Sequence, residues 1–418
     1  MQNAADPHVL ILGGGFGGLW ATRALASAPV RVTLVDRTNH HLFQPLLYQV
    51  AMAGLSSPDI AAPLRHILRR QRNVTVRMDE ACEIDVEARR VTLAHGALDY
   101  DYLVVATGAR HAYFGHDDWA PFAPGLKTLD DAVLIRRRML QAFECAERES
   151  DPRRRAQWLN FVIIGGGPTG VELAGTLAEI AHHTLPREFR NSDPRSARVH
   201  LIEAGPRVLA SMPEVLSAKA RSQLERIGVS VHTGQAVTSI DETGVTLGEQ
   251  RIMARTVLWA AGVAASPLGA QLGAECDRAG RVKVEADLSL REHPEVFVIG
   301  DLASAVQDGV GVPGIAPAAK QMGAFVALAI RARIRKRTPA AFHYRDYGNL
   351  ATIGRKAAVV DLHGLRISGA IAWLFWLMAH IFFLIGFRNR IVVMIDWMWS
   401  YFTYQRNARI IIGGESDE

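Results

Sequence analysis

A chain of 418 residues with 49% hydrophobic and 21% charged content is too apolar to be disordered. It also exceeds the roughly 250–300 residues at which a single hydrophobic core stops growing, so two or three domains are expected. The formal net charge of +5 is too small to indicate a nucleic-acid partner, and three scattered cysteines (Cys82, Cys145, Cys276) with no CxxC pair exclude a disulfide framework or a redox dithiol.

Met1–His8 has no basic patch ahead of an apolar run, so no secretory signal is expected and the chain should stay where it is made. His8–Leu12 then reads as a buried parallel strand running into glycines. Helical spacing follows from about Gly17 to Ser27, and Val30–Val35 is a second apolar strand. The pattern repeats in Phe161–Ile164, the glycines 165–170, a helix through about Ala181, and Val199–Ile202. Tyr102–Gly108 and Thr256–Gly262 are apolar strands ending in a small residue and a glycine, and they read as equivalent closing strands of two doubly wound units. Val296–Ile299, followed by Gly300-Asp301, is one more.

The basic stretch Arg331–Arg337 marks a boundary. Beyond it, Ile371–Phe387 is apolar except for His380, Arg388-Asn-Arg390 is expected to turn the chain, and Ile391–Phe402 is apolar apart from Asp396 and Ser400. The first of these runs is 17 residues, short of the ~20 that span a bilayer. Trp-rich segments flanked by arginines suit helices lying in a membrane interface.

Gly13, Gly15 and Gly18 fit G-x-G-x-x-G, with Gly17 inside it. Such a turn lets backbone approach a pyrophosphate, which then meets the positive end of a helix. The match is weak alone, but here it follows a strand, opens a helix, and is trailed by Asp36 in the position of a ribose-binding acid. Its place at the N-terminus favours FAD. Gly165, Gly167 and Gly170 repeat the motif, and Glu203 ends the next strand 33 positions after Gly170, the excess being a polar insertion near Leu185–Ser196. Glu203 should bond an adenosine 2′-hydroxyl and repel a 2′-phosphate, favouring NADH over NADPH. Glu172 either faces solvent at the helix start or sits near the nicotinamide. No histidine or carboxylate group has metal-ligand spacing, so no metal is expected.

Together these features resemble the two-dinucleotide-binding flavoproteins of the glutathione reductase group, and within it the type II NADH:quinone oxidoreductases. His41-Leu-Phe-Gln-Pro-Leu-Leu-Tyr48 is similar to that family's flavin-covering segment. Ile315-Ala-Pro-Ala-Ala-Lys-Gln321 aligns with its quinone motif Ala-Gln-x-Ala-x-Gln, with Pro317 replacing the first glutamine. The aromatic C-terminus matches its anchoring helices. The resemblance implies an α/β fold of two Rossmann-like domains plus a C-terminal membrane-associated helical segment: FAD domain 1–115 and 280–335, NADH domain 116–279, membrane region 336–418. It implies cofactor contacts from Arg37, Pro45, Thr107, Gly108, Gly262, Gly300 and Asp301 as well, and roles for Glu172, Lys320 and Gln321 at the reacting centre. It further implies a non-pumping, peripheral enzyme on the cytoplasmic face of the inner (plasma) membrane, working on a membrane quinone beside surface lipid, and a homodimer. The alternatives are a soluble-type reductase of a ferredoxin- or rubredoxin-like partner, and a non-catalytic NADH-sensing flavoprotein.

Overall fold

A computed structural model of the chain describes residues 6–403, 405–406 and 408–411. Residues 1–5, read above as lacking a signal, and 412–418, the end of the expected membrane region, lie outside them. The first apolar run forms β1 (His8–Leu12), with Val9, Leu10 and Ile11 fully buried. Then come α1 (Phe16–Ala24), β2 (Arg31–Asp36), β3 (Val74–Met78) and β4 (Tyr102–Val105). A 20-residue helix, α2 (Leu129–Arg148), starts from a capping box in which Thr128 and Asp131 satisfy each other's backbone N–H. The repeat follows as β5 (Asn160–Ile164), α3 (Pro168–Glu179), β6 (Arg198–Glu203), α4 (Glu214–Arg226), β7 (Val229–Thr233) and β8 (Thr256–Trp259). Next are β9 (Val296–Val298) and α5 (Ala316–Ile334). The described chain ends in β10 (Asn349–Gly354), β11 (Ala357–Leu362), β12 (Leu365–Ser368), α6 (Ala370–Phe383) and α7 (Phe387–Thr403).

The chain divides into two compact units. The first comprises Met1–Leu42, Ala61–Arg110 and Val263–Tyr347. Its centre is a five-stranded parallel sheet ordered β9-β4-β1-β2-β3, with α1 packed on α5. Leu10, Leu12, Leu103, Val105, Val296 and Val298 form the apolar face beneath it. These runs are apolar throughout because strands of a covered parallel sheet are buried on both faces.

The second unit comprises Phe43–Ile60, His111–Gly262 and Gly348–Glu418. It holds a four-stranded parallel sheet ordered β7-β6-β5-β8. The reading of 336–418 as a separate helical region differs from this in two ways. Residues 349–368 form an antiparallel sheet, β10-β11-β12, and the described C-terminal part is folded into the second unit. The reason is close packing: β10 lies so near α3 that a Cβ on Gly175 would stand 1.6 Å from the Ile353 carbonyl oxygen. On its other side β11 is covered by α6, through Ala358, Val360 and Ala372.

The helix break also falls elsewhere than expected. α6 stops at Phe383, Gly386 turns the chain with φ +92°, and Arg388–Arg390 open α7 instead of forming the turn. Glycine takes that left-handed conformation without a Cβ penalty, whereas arginines are good helix formers. Among the described residues no helix is long and apolar enough to cross a membrane; the 14 residues of α6 reach only ~21 Å against a ~30 Å core.

Candidate functional site: two dinucleotide turns

The two glycine turns are built alike. In the first, Asp36 at the end of β2 accepts from the Gly14 N–H at 2.5 Å through Oδ2. Its Oδ1 accepts from the Thr38 N–H and hydroxyl at 2.7 Å each. In the second, Glu203 at the end of β6 accepts from the Gly166 N–H at 2.6 Å and the Gly205 N–H at 2.7 Å. Each acid therefore holds its turn closed at the strand end. Gly18 and Gly170 let helix and strand meet, since a Cβ on either would lie 1.8 Å from the carbonyl oxygen of Gly13 or Gly165.

Both sites fit a dinucleotide. At Gly15 and Gly167 a Cβ would meet nothing within 4 Å, so the mouth of each turn is open. The helices that follow, α1 and α3, have no side-chain cap and no acid in the first turn, which leaves their N–H groups and positive dipole ends for phosphate. In the first unit, the Thr107 hydroxyl just beyond β4 is buried without a hydrogen-bond partner, as expected of a group that awaits a polar cofactor atom. Gly108, Gly300 and Asp301 stand at the ends of β4 and β9 along the same sheet edge, with Gly108 and Gly300 at positive φ. Arg37 follows Asp36 and is exposed. Pro45 lies in the short 3₁₀ turn Gln44–Leu46 of the second unit.

The three residues expected at the reacting centre have distinct surroundings. The Lys320 ammonium lies 4.9 Å from the Phe16 ring and 4.6 Å from the Trp20 ring, and burial lowers its pKa to about 8. His41 stands edge-on to Phe16 at 5.0 Å and bonds the Gly14 carbonyl; burial holds it neutral, with a pKa of about 4. One residue along, Gln321 spends both ends of its amide on the Arg345 backbone, donating and accepting at 2.9 Å. Pro317 occupies the first turn of α5, where a missing N–H costs nothing.

Glu172 is neither solvent-facing nor a cap. It is buried in α3 beneath β10, and desolvation raises its pKa well above the carboxylate range despite a backbone hydrogen bond from Thr352. Beside it in the same unit is the buried phenol of Tyr48, raised likewise by burial and by the Glu172 charge. Gln49 donates to Tyr48 at 2.9 Å and accepts from the Trp397 indole at 2.7 Å. Arg406 pairs with Glu179 at 3.4 Å. Sequence reasoning missed this polar cluster, because Gln49 and Trp397 are 348 residues apart.

Two Rossmann-like units, each with a glycine turn and an acid closing it, define a pyridine-nucleotide oxidoreductase of the two-dinucleotide type. Residues 7–323 match the pyridine nucleotide-disulphide oxidoreductase family, and residues 347–406 match the NDH2 C-terminal domain. The type II NADH:quinone oxidoreductase Ndh of Mycobacterium tuberculosis is 45% identical, covering 97% of this chain and 90% of its own. The type II NADH:quinone oxidoreductase of Staphylococcus haemolyticus is 28% identical over 86% of this chain and 91% of its own. The structure of NDH2 from Plasmodium falciparum in complex with NADH superposes with a TM-score of 0.87 at 20% identity, covering 96% of this chain and 99% of that one. The chain belongs to the type II NADH:quinone oxidoreductase family.

Proposed function

We propose that this chain oxidises NADH through a resident FAD and passes two electrons to a quinone. The observation that carries the proposal is the paired construction of the two turns, together with the family membership over nearly the whole chain. FAD, when bound, accepts a hydride and releases its electrons to a second substrate. The protein's own part is binding, orientation and charge. The first turn and Asp36 hold the adenosine half of the cofactor, with Thr107 and Asp301 continuing along the sheet edge. The second turn and Glu203 hold NADH and discourage a 2′-phosphate. Burial of Glu172 in α3 favours its protonated form, raising its pKa from the ordinary carboxylate value. Lys320 fixes positive charge at the start of α5.

Ile371, Phe382 and Phe402 on α6 and α7 are 73%, 69% and 75% exposed. Soluble surfaces rarely carry such a band, which supports docking to a membrane surface where the quinone resides. The cytoplasmic face and a homodimer complete the reading. Purified protein should show a flavin spectrum that bleaches with NADH and recovers with quinone, and should co-sediment with lipid vesicles. Bleaching without recovery removes the quinone acceptor and leaves the flavoprotein.

A further inference from the structure

The two turns differ at one place. Leu12 pairs with Val105, and Gly108 lies three residues beyond; Ile164 pairs with Trp259, and Gly262 lies three residues beyond. The glycines are thus equivalent. A Cβ on Gly108 would meet nothing within 4 Å, but one on Gly262 would lie 2.6 Å from Cζ of Phe114. The Phe114 ring therefore covers, in the second unit, a space left open in the first.

This place lies on the path of the substrate, given the second turn's role in binding NADH. In the sheet order β7-β6-β5-β8, Glu203 ends β6 and takes the adenosine ribose, and the turn after β5 takes the pyrophosphate. The nicotinamide half must continue towards the end of β8, where Gly262 stands.

Phe114 is held there from below and is free above. The Ala112 N–H donates to the Gly262 carbonyl at 3.2 Å, and the Trp259 indole donates to the Ala112 carbonyl at 2.9 Å. Tyr113, before it, is buried and donates to Ala123 at 2.8 Å, and Trp119, after it, is buried as well. Phe114 itself is 68% exposed and has φ +54°, followed by Gly115 at +93°. A bulky aromatic residue rarely adopts that conformation, and such strain collects at working sites. The ring touches Trp259 with centroids 6.2 Å apart, but most of it faces solvent.

We propose that Phe114 is a gate over the nicotinamide half of the NADH site: its ring rests on Gly262 and must swing away for the dinucleotide to seat. It is a positioning residue, acting by competing for the space. The same competition favours release of NAD⁺.

The test is calorimetric binding of NAD⁺ and of ADP-ribose, which lacks the nicotinamide, to the FAD-loaded protein. Two variants remove the ring, Phe114→Ala and Phe114→Gly, the second suited to the positive φ. NAD⁺ should bind about threefold more tightly to both, on the scale of one lost aromatic contact, while ADP-ribose is unchanged. NAD⁺ affinity that stays the same or falls overturns the gate, and so does a parallel change for both ligands. Glu203→Gln serves as the separate check: it should weaken both ligands. If neither responds, it is the assignment of the second turn to NADH that fails.

Discussion

The two dinucleotide units share sheet logic, turn geometry and the acid that closes the turn, yet they are finished differently. In the first, the sheet gains β9 beyond β4, so Gly300 and Asp301 extend the edge. Thr107 there offers an unpartnered hydroxyl where the second unit has Ala261. In the second, the edge stops at β8 and Phe114 covers its last glycine. A longer edge with an extra polar group suits a resident cofactor. A shorter, gated edge suits a substrate that must leave after each turnover. The lesson is that the two turns share one construction while the elements beside them differ.

The largest effects should come from the close approach common to both turns. Gly18→Ala and Gly170→Ala each force a methyl against a carbonyl oxygen, at a cost of about 3 kcal/mol, on the order of a hundredfold in affinity. Gly18→Ala should yield protein depleted of flavin absorbance. Gly170→Ala should keep the flavin and lose its reduction by NADH. Equal flavin loss in both would erase the distinction between the units.

Burial lowers the pKa of a histidine in each unit to about 4, His41 in the first and His380 in the second. His380 stacks on Trp376 at 4.0 Å and bonds its carbonyl at 2.8 Å. With folded values below the ordinary 6.5, this contribution to stability is complete above pH 6.5 and lost as the pH falls through about 4. The loss is roughly 3 kcal/mol per histidine. Denaturant unfolding between pH 7 and 4 should show the decline, and His380→Gln should make it smaller by roughly 3 kcal/mol; a flat profile contradicts the assignment.

Smaller effects should follow at the closing acids. In Glu203→Gln or Asp36→Asn, an amide NH₂ must face a backbone N–H, so one hydrogen bond is replaced by a clash of donors, a change of about tenfold. For Glu203→Gln this should appear as a higher KM for NADH and a narrower preference over NADPH. For Asp36→Asn it should appear as weaker retention of FAD. Smallest is Thr107→Val, which should weaken FAD by about fivefold, the value of one neutral hydrogen bond. No change there means that the hydroxyl is not reserved for the cofactor, and the contrast with Ala261 loses its meaning.

Much of this was legible in the residues. Period, glycine spacing and trailing acids located both turns, because their geometry is local and each strand is an unbroken apolar run. The C-terminal sheet was not legible. Asn349–Gly354 and Ala357–Leu362 are short, turn on Arg355-Lys356, and owe their place to α3 and α6, far away in sequence. Gln321 was assigned to the reacting centre by motif, and its partner proved to be the Arg345 backbone, which no spacing predicts.

What the sequence by itself determined is therefore the pair of nucleotide turns, their acids and the apolar tail, since each depends on contacts a few residues apart or on bulk hydropathy. Tertiary structure alone decided the burial of Glu172 and the upward shift of its pKa, the network joining Tyr48, Gln49 and Trp397, and the position of Phe114 over Gly262. All three depend on desolvation or steric contact between segments distant in the chain, and neither quantity exists until the chain has folded.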